Sequence, residues 1–293
     1  MAERTSPRRL SDLAGEPGVI EKDLQNWESF HEELKRLRTK YDKANSPLLF
    51  RGQNDSEFHL TTTLERAGCE GMSFDHYFRL AVGRVRPAVE TFTGVKWDVT
   101  VYSLEIEKAF RTDVELFSLR RFPEVELYRY LVYLRHHGFP SPLLDWSHSP
   151  HVAAFFAFRN ISLRQREDRP EKASIYVYCE TPQGSKGGAV GAPEMRRIGQ
   201  YVRSHPRHFR QQSDYTICGA FDQKFGWKFH PHEDVFGSRG AKQDVLWKFN
   251  LPSSESSRVL RLMDEYNLNA FSLYDTEEAL LETMWSRECG LNL

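Results

Sequence analysis

The sequence predicts an α+β fold: a mixed central sheet with an N-terminal helix and a helical insertion. Three observations carry the prediction. Segments with apolar residues three and four apart alternate, in mixed order and without an internal repeat, with short β-rich runs. The 293 residues are 40% hydrophobic and 13% aromatic, ample for a packed core. The glycine-rich "GSKGGAVG" lacks the strand-to-helix context of a dinucleotide-binding loop, so a Rossmann-type unit is not indicated.

Residues 1–22 read as a flexible lead-in, charged and without the apolar core of a secretory signal. From Asp23 to Lys43, the spacing of Leu24, Trp27, Phe30, Leu34 and Leu37 predicts an amphipathic helix. "ANSPLLFRGQ" is a turn and a short strand, and "TTTLERAG" a turn leading into a helix. "FDHYFRLAVGRVRPAVETF" and "LEIEKAFRTDVELFSLRRF" are helical and make up the insertion, at about 70–122. Pro123 to Gly138 is a helix with proline near its first position and glycine at its stop. "FPSPLLDWS" is extended, and Ser149 to Asn160 is a nearly all-apolar, buried helix. Ala173 to Glu180 is a buried strand, Gln183 to Glu194 a flexible loop, and Asp244 to Pro252 an alternating strand. "SSESSRVLRLMDEYN" is a capped helix, "LNAFSLY" a strand and "DTEEALLETMWSREC" the last helix, all within a single domain over 23–293.

Forty Lys and Arg against 41 Asp and Glu leave a net charge of -1, so any basic surface must be local. Cys69, Cys179, Cys218 and Cys289 are widely spaced, which suits reduced thiols and a cytoplasmic location. No run of about 18 apolar residues marks a membrane span. The 11 histidines form no HExxH, and "HPHED" (His230 to Asp234) reads as a surface loop, so no metal is expected.

Two stretches invite chemistry. In "LLFRGQ" a buried strand ends on Arg51, which either meets water or waits for an anion, while Gly52 lets a ligand approach the backbone. "LRHHGFPSPLLDWSHSPHVAAFFAF" gathers His136, Asp145, Trp146 and Ser147 around one short strand. Singly, Asp145 and Ser147 have ordinary readings as helix caps and Trp146 as core; together they line one pocket wall. A third stretch, Met195 to Gln212, holds Arg196, Arg197, Arg203, Arg207 and Arg210 with Tyr201 and Phe209 and no acid. It is either a solvated basic face or a phosphate track with aromatic rings to stack bases.

These motifs carry a resemblance. "LLFRGQ" with "TLER", followed by "LRHHGFPSPLLDWSHSPHVAAFFAF", resembles the FRG domain, named for its Phe-Arg-Gly. The chain keeps His136, Gly138, Pro140, Leu143, Leu144, Asp145 and Trp146 of the family pattern. It departs at Arg135, His137, Ser141 and Pro142, where the family more often has Gln, Tyr, Thr and Arg. "HPRHFRQQSDYTICGAF" resembles the family's Gln-Gln-Gly strand, with Ser213 in the glycine's place, and "LNAFSLYDTEEAL" its closing Leu-Phe-Pro-Asp segment, with Tyr274 for the proline. The resemblance runs from about Asn45 to the C-terminus.

The order of these strands is in turn similar to that of ADP-ribosyltransferases. That likeness implies NAD as substrate, with Arg51 and Gly52 at its phosphates or ribose and Ser147 supporting the nicotinamide pocket. Trp146 or Tyr215 would stack the nicotinamide, and His136 and Asp145 would share the cleft. Gln211, Gln212 or Asp214 would take the third-strand position that orients the ribose or the nucleophile. A glutamine there lacks the negative charge that favours an oxocarbenium-like transition state, which leaves Asp275, Glu277 and Glu278 as other sources of the acid. The resemblance implies ADP-ribose transfer to a macromolecule, DNA or RNA among the candidates. It further implies a bacterial toxin or phage-defence effector, with an inhibitor or antitoxin protein as a partner. The alternative is a non-catalytic module that recognises a nucleotide or a partner protein.

Overall fold

A computed structural model of the protein describes residues 19–44, 46–99, 104–116, 122–161, 166–182, 186, 191–199, 205–238 and 244–290. In chain order the elements are β1 (Val19–Asp23), α1 (Trp27–Lys40), β2 (Leu48–Gln53), α2 (Thr63–Arg66), α3 (Phe74–Leu80), α4 (Arg86–Thr93), α5 (Leu104–Thr112) and α6 (Val125–His136). They continue with β3 (Leu144–Ser147), α7 (Pro150–Phe158), β4 (Lys172–Glu180), β5 (Glu194–Arg197), α8 (Pro206–Arg210), β6 (Ser213–Asp222) and β7 (Gly226–Phe229). The last are α9 (Asp234–Ser238), β8 (Asp244–Pro252), α10 (Ser256–Glu265), α11 (Ala270–Tyr274) and α12 (Glu277–Trp285).

Several local expectations are corrected. The lead-in ends early, because Val19–Asp23 pairs in parallel with β8. The first helix then starts only at Trp27, where the Asn26 side chain accepts a bond from the Ser29 amide. "LNAFSLY" is helical: Asn269 and Ser272 form a reciprocal capping box, and the cap prevails over the strand-like composition. "HPRHFRQQ" is likewise a helix before a strand, with Pro206 in the first turn of α8 and β6 starting at Ser213. β5 and β7 were not legible as strands, and β5 begins at Glu194, where the expected loop ends. Most of that loop and the lead-in before Val19 lie outside the described residues.

The sheet has the strand order β1-β8-β4-β2-β3-β6-β5, with β7 against β6. Among the described strands only β1 and β8 run parallel, so the sheet is mixed, mostly antiparallel and open, as an α+β fold allows. Its middle is thin. β2 and β4 pair over all six residues of β2, whereas β2 and β3 share the single register position Phe50↔Ser147. Beyond that point the sheet opens into two halves, and Arg51 is the next residue along β2.

Packing fixes this opening. α1, α7 and α10 cover one face of the β2, β4 and β8 half through Trp27, Phe30, Phe158, Phe249 and Val259. α9 covers the other face, with Phe236 against Tyr178. α3, α5 and α6 share one aromatic-rich cluster with β6 and β7, so the helical stretch before Val125 is built into the core. Gly52 faces α7, where an added Cβ would lie 1.9 Å from the Ala153 carbonyl oxygen and 2.5 Å from the Ala157 nitrogen. The missing side chain therefore admits a helix backbone against β2, and Gly52 also borders the cleft described below.

Candidate functional site

Where the halves of the sheet separate, a cleft of about 770 Å³ opens between β2, β3, α7 and the segment joining β2 to α2. Arg51 forms its floor. Its Nη1 donates to the Asp145 carbonyl oxygen at 2.8 Å and to Asp145 Oδ1 at 2.7 Å, while its Nε is buried without a partner. Arg135, from the last turn of α6, donates to the same Oδ1 and sits 3.4 Å from Thr63 Oγ1. Burial alone would raise the Asp145 carboxyl, but the Arg135 and Arg51 guanidiniums hold it well below the usual carboxylate range. The Asp145 side chain keeps 44% of its surface open. Arg66 also borders the cleft, its pKa lowered by burial and by Arg51 and Arg135. Three guanidiniums thus converge around one carboxylate, which leaves a positive excess suited to an anion.

The other expected residues divide. Ser147 borders the cleft, but its hydroxyl already donates to the Gln211 carbonyl at 2.7 Å and accepts from the Ser149 amide at 3.0 Å. At the entry to β6 the cleft is faced by Gln211, whose Nε2 donates to the Leu273 carbonyl. Gln212 is an exposed turn residue with φ 47°, bonded through its backbone to His148. Asp214 is fully buried away from the cleft and accepts from Arg197 Nε at 2.6 Å, His148 Nε2 at 2.9 Å and the Gly199 and Tyr215 amides. It is a saturated structural acid, which corrects its expected place in the site.

The expected stacking platforms are also corrected. Trp146 borders the cleft, but its ring is 3% exposed, packs on Tyr178 and donates to Thr216 Oγ1. Tyr215 is 1% exposed and stacks on His208. Its hydroxyl lies 2.8 Å from His136 Nε2. Neither residue lines the cleft, and burial pushes His136 down to about 4.

The cleft contains groups that sequence reasoning missed. Tyr274, noted only as a departure from the family pattern, lines it with the guanidiniums of Arg159 and Arg207 at 4.6 and 5.0 Å from its ring centroid. Arg66 lay within the quoted "TLER" and carried a signal of position only. His59 also lines the cleft, its Nδ1 2.7 Å from Glu233 Oε2. Nothing local linked it to Glu233, which is 174 residues away.

The basic stretch is not a free row. Arg196 bonds Glu194 at 3.0 Å, Arg197 is held by Asp214, and Arg210 bonds Asp275 at 2.7 Å. Arg207 packs on Tyr274. Arg203 and Tyr201 lie outside the described residues, and Phe209 is 86% exposed. Of the alternative acids, Asp275 caps α11 at φ 54°, and Glu277 and Glu278 occupy the first turn of α12 behind the Thr276 cap. Among the described residues no group of three or more His, Cys, Asp or Glu is placed to hold a metal ion, and no helix is long and apolar enough to cross a membrane.

Fold and cleft together describe an α+β protein with an arginine-floored cleft at a divided sheet. Residues 46–166 match the model of the FRG domain family, and over that span the chain carries an FRG domain. The matched span includes Arg51, His59, Arg66, Arg135, Asp145 and Ser147; Gln211, Glu233 and Tyr274 come from beyond it. No curated protein and no solved structure matches the chain.

Proposed function

We propose that the cleft binds NAD and that the protein transfers ADP-ribose from it to a macromolecular acceptor. One observation carries the reading: Arg51, at the parting of β2 and β3, lines a cleft of about 770 Å³ together with Arg66. Pockets for ligands of this class run to roughly 300–1,000 Å³. A guanidinium grips a pyrophosphate by forked, charge-assisted bonds, and Arg66 adds positive charge nearby. The divided sheet, with arginine on one strand and a hydroxyl on the next, supports the likeness to ADP-ribosyltransferases. In the reaction, the bond between ribose C1′ and the nicotinamide nitrogen breaks, nicotinamide leaves with its electron pair, and an acceptor atom bonds C1′. The ionised Asp145, open to the cleft, opposes the positive charge that develops on the ribose.

A specific observation favours a second reading, a non-catalytic module that recognises a nucleotide. The residue facing the cleft at the entry to β6 is the neutral Gln211, and Asp145 is engaged by Arg51 and Arg135. Incubation with NAD separates the two. Released nicotinamide is expected of the transferase; NAD binding without release leaves the binding module. A DNA, RNA or protein acceptor, and any toxin or phage-defence role with its inhibitor protein, follow only from the transferase reading. Labelled NAD with each acceptor class tests them.

A further inference from the structure

In the proposed reaction the leaving group needs no proton, because nicotinamide departs neutral. The proton that must move belongs to the acceptor, and the groups already described are poor places for it. Asp145 is held well below the usual carboxylate range by two guanidiniums. The Ser147 hydroxyl is committed to backbone groups, and Gln211 does not titrate.

His59 differs from all of these. It lines the cleft from the segment between β2 and α2, and its side chain is 15% exposed. Its Nδ1 lies 2.7 Å from Glu233 Oε2, and Glu233 Oε1 accepts the Leu60 amide at 2.7 Å. Both oxygens of the carboxylate are therefore engaged, and the carboxylate fixes the proton of the neutral imidazole on Nδ1. Nε2 makes no bond to the chain among the described residues and is not sealed from solvent. A carboxylate behind one ring nitrogen and an unbonded second nitrogen, on a residue that lines a cleft, is an arrangement suited to a general base.

We infer that His59, oriented by Glu233, accepts the proton of a hydroxyl acceptor, water included, as that oxygen attacks ribose C1′. The inference rests on the NAD reading above. The oxygen lone pair forms the new C1′–O bond, the C1′–N pair leaves with nicotinamide, and the O–H proton passes to Nε2. The imidazolium so formed is stabilised by Glu233 and then loses its proton to solvent. The hydrogen bond to Glu233 raises the His59 pKa, burial and Lys248 from β8 oppose this, and Glu57 from the same segment adds to it.

The test is nicotinamide release from NAD by the full chain across about pH 5 to 9, with NAD affinity measured in parallel. The wild-type rate should fall on the acid side with a midpoint above 6.5, as protonation removes the base. His59→Gln should lose about 10²–10⁴-fold in rate and lose the acid limb, with NAD affinity unchanged. Glu233→Gln should keep the limb but move it to lower pH, a readout that a merely structural tie would not shift. A wild type that releases no nicotinamide at any pH overturns both this proposal and the NAD reading. A wild type that releases it, with His59→Gln unchanged in rate and profile, overturns the His59 assignment alone. The same follows if Glu57→Gln removes the acid limb instead. Should His59→Gln fail to fold, the displaced or unmoved limb of Glu233→Gln decides.

Discussion

Two aspartates on the neighbouring strands β3 and β6, each held by arginine from other elements, have opposite surroundings. Asp214 is fully buried and accepts bonds from Arg197, His148 and two backbone amides, so its lone pairs are filled by the protein. Asp145 is joined to Arg51 and Arg135 through one oxygen, keeps 44% of its side chain open and leaves Arg51 Nε unpartnered. The first is a finished network that ties β5 and the following turn to the sheet. The second is an unfinished one, and it faces the cleft. A charged cluster left partly open beside a cavity is a candidate ligand site.

The sharpest way to break the contrast is to neutralise each acid. Asp214→Ala should destabilise the fold by about 3–5 kcal/mol, because it strands buried donors and the Arg197 charge. Asp145→Asn should cost less, because the carboxylate is 44% open to solvent and the amide oxygen that replaces it can still accept from Arg51 and Arg135. Denaturant unfolding of both variants checks this, and equal losses would erase the distinction. The acid side provides a second test. Burial holds His136 at about 4 and His232 at about 3, against 6.5 for an ordinary imidazole. The unfolded chain then binds protons that the folded chain refuses. Stability is fully present above about 6.5 and should be lost as pH falls towards 4. His136→Gln should flatten part of that slope in unfolding midpoints taken between these values.

Arg51→Lys sharpens the comparison at the open pair. A point charge cannot reproduce the fork, so NAD affinity by calorimetry should fall about 10- to 100-fold, or about 1.4–2.7 kcal/mol, with little change in unfolding. Wild-type affinity in that variant would remove the anion clamp. The smallest effect is expected in the basic stretch. If it tracks phosphates, Arg203→Ala with Arg207→Ala should flatten the salt dependence of nucleic-acid affinity by about one to two units of log–log slope. With Arg196, Arg197 and Arg210 each paired to an acid, an unchanged slope would mark the stretch as structural.

Local physics made much of the fold legible. Apolar spacing placed α1, proline and glycine signals α6, an all-apolar body α7, a β-rich run β4 and alternation β8, because periodicity, burial and stop signals are written along the chain. It failed where a cap outweighed composition, as at Asn269 and Ser272, and at the short strands β5 and β7, whose pairing partner β6 defines them. The site divides in the same way. Arg51 and Asp145 stood out because a charge or acid adjoining a buried strand is unusual in one dimension. That Gly52 receives α7, that Asp214 points away from the cleft while Gln211 faces it, and that His59 meets Glu233 from 174 residues away were decided only by tertiary structure. A strand's alternation tells which residues share a face, but not what the opposite wall supplies or where a sheet parts. Those depend on pairing register and on helices packed from distant segments, and no local propensity encodes them.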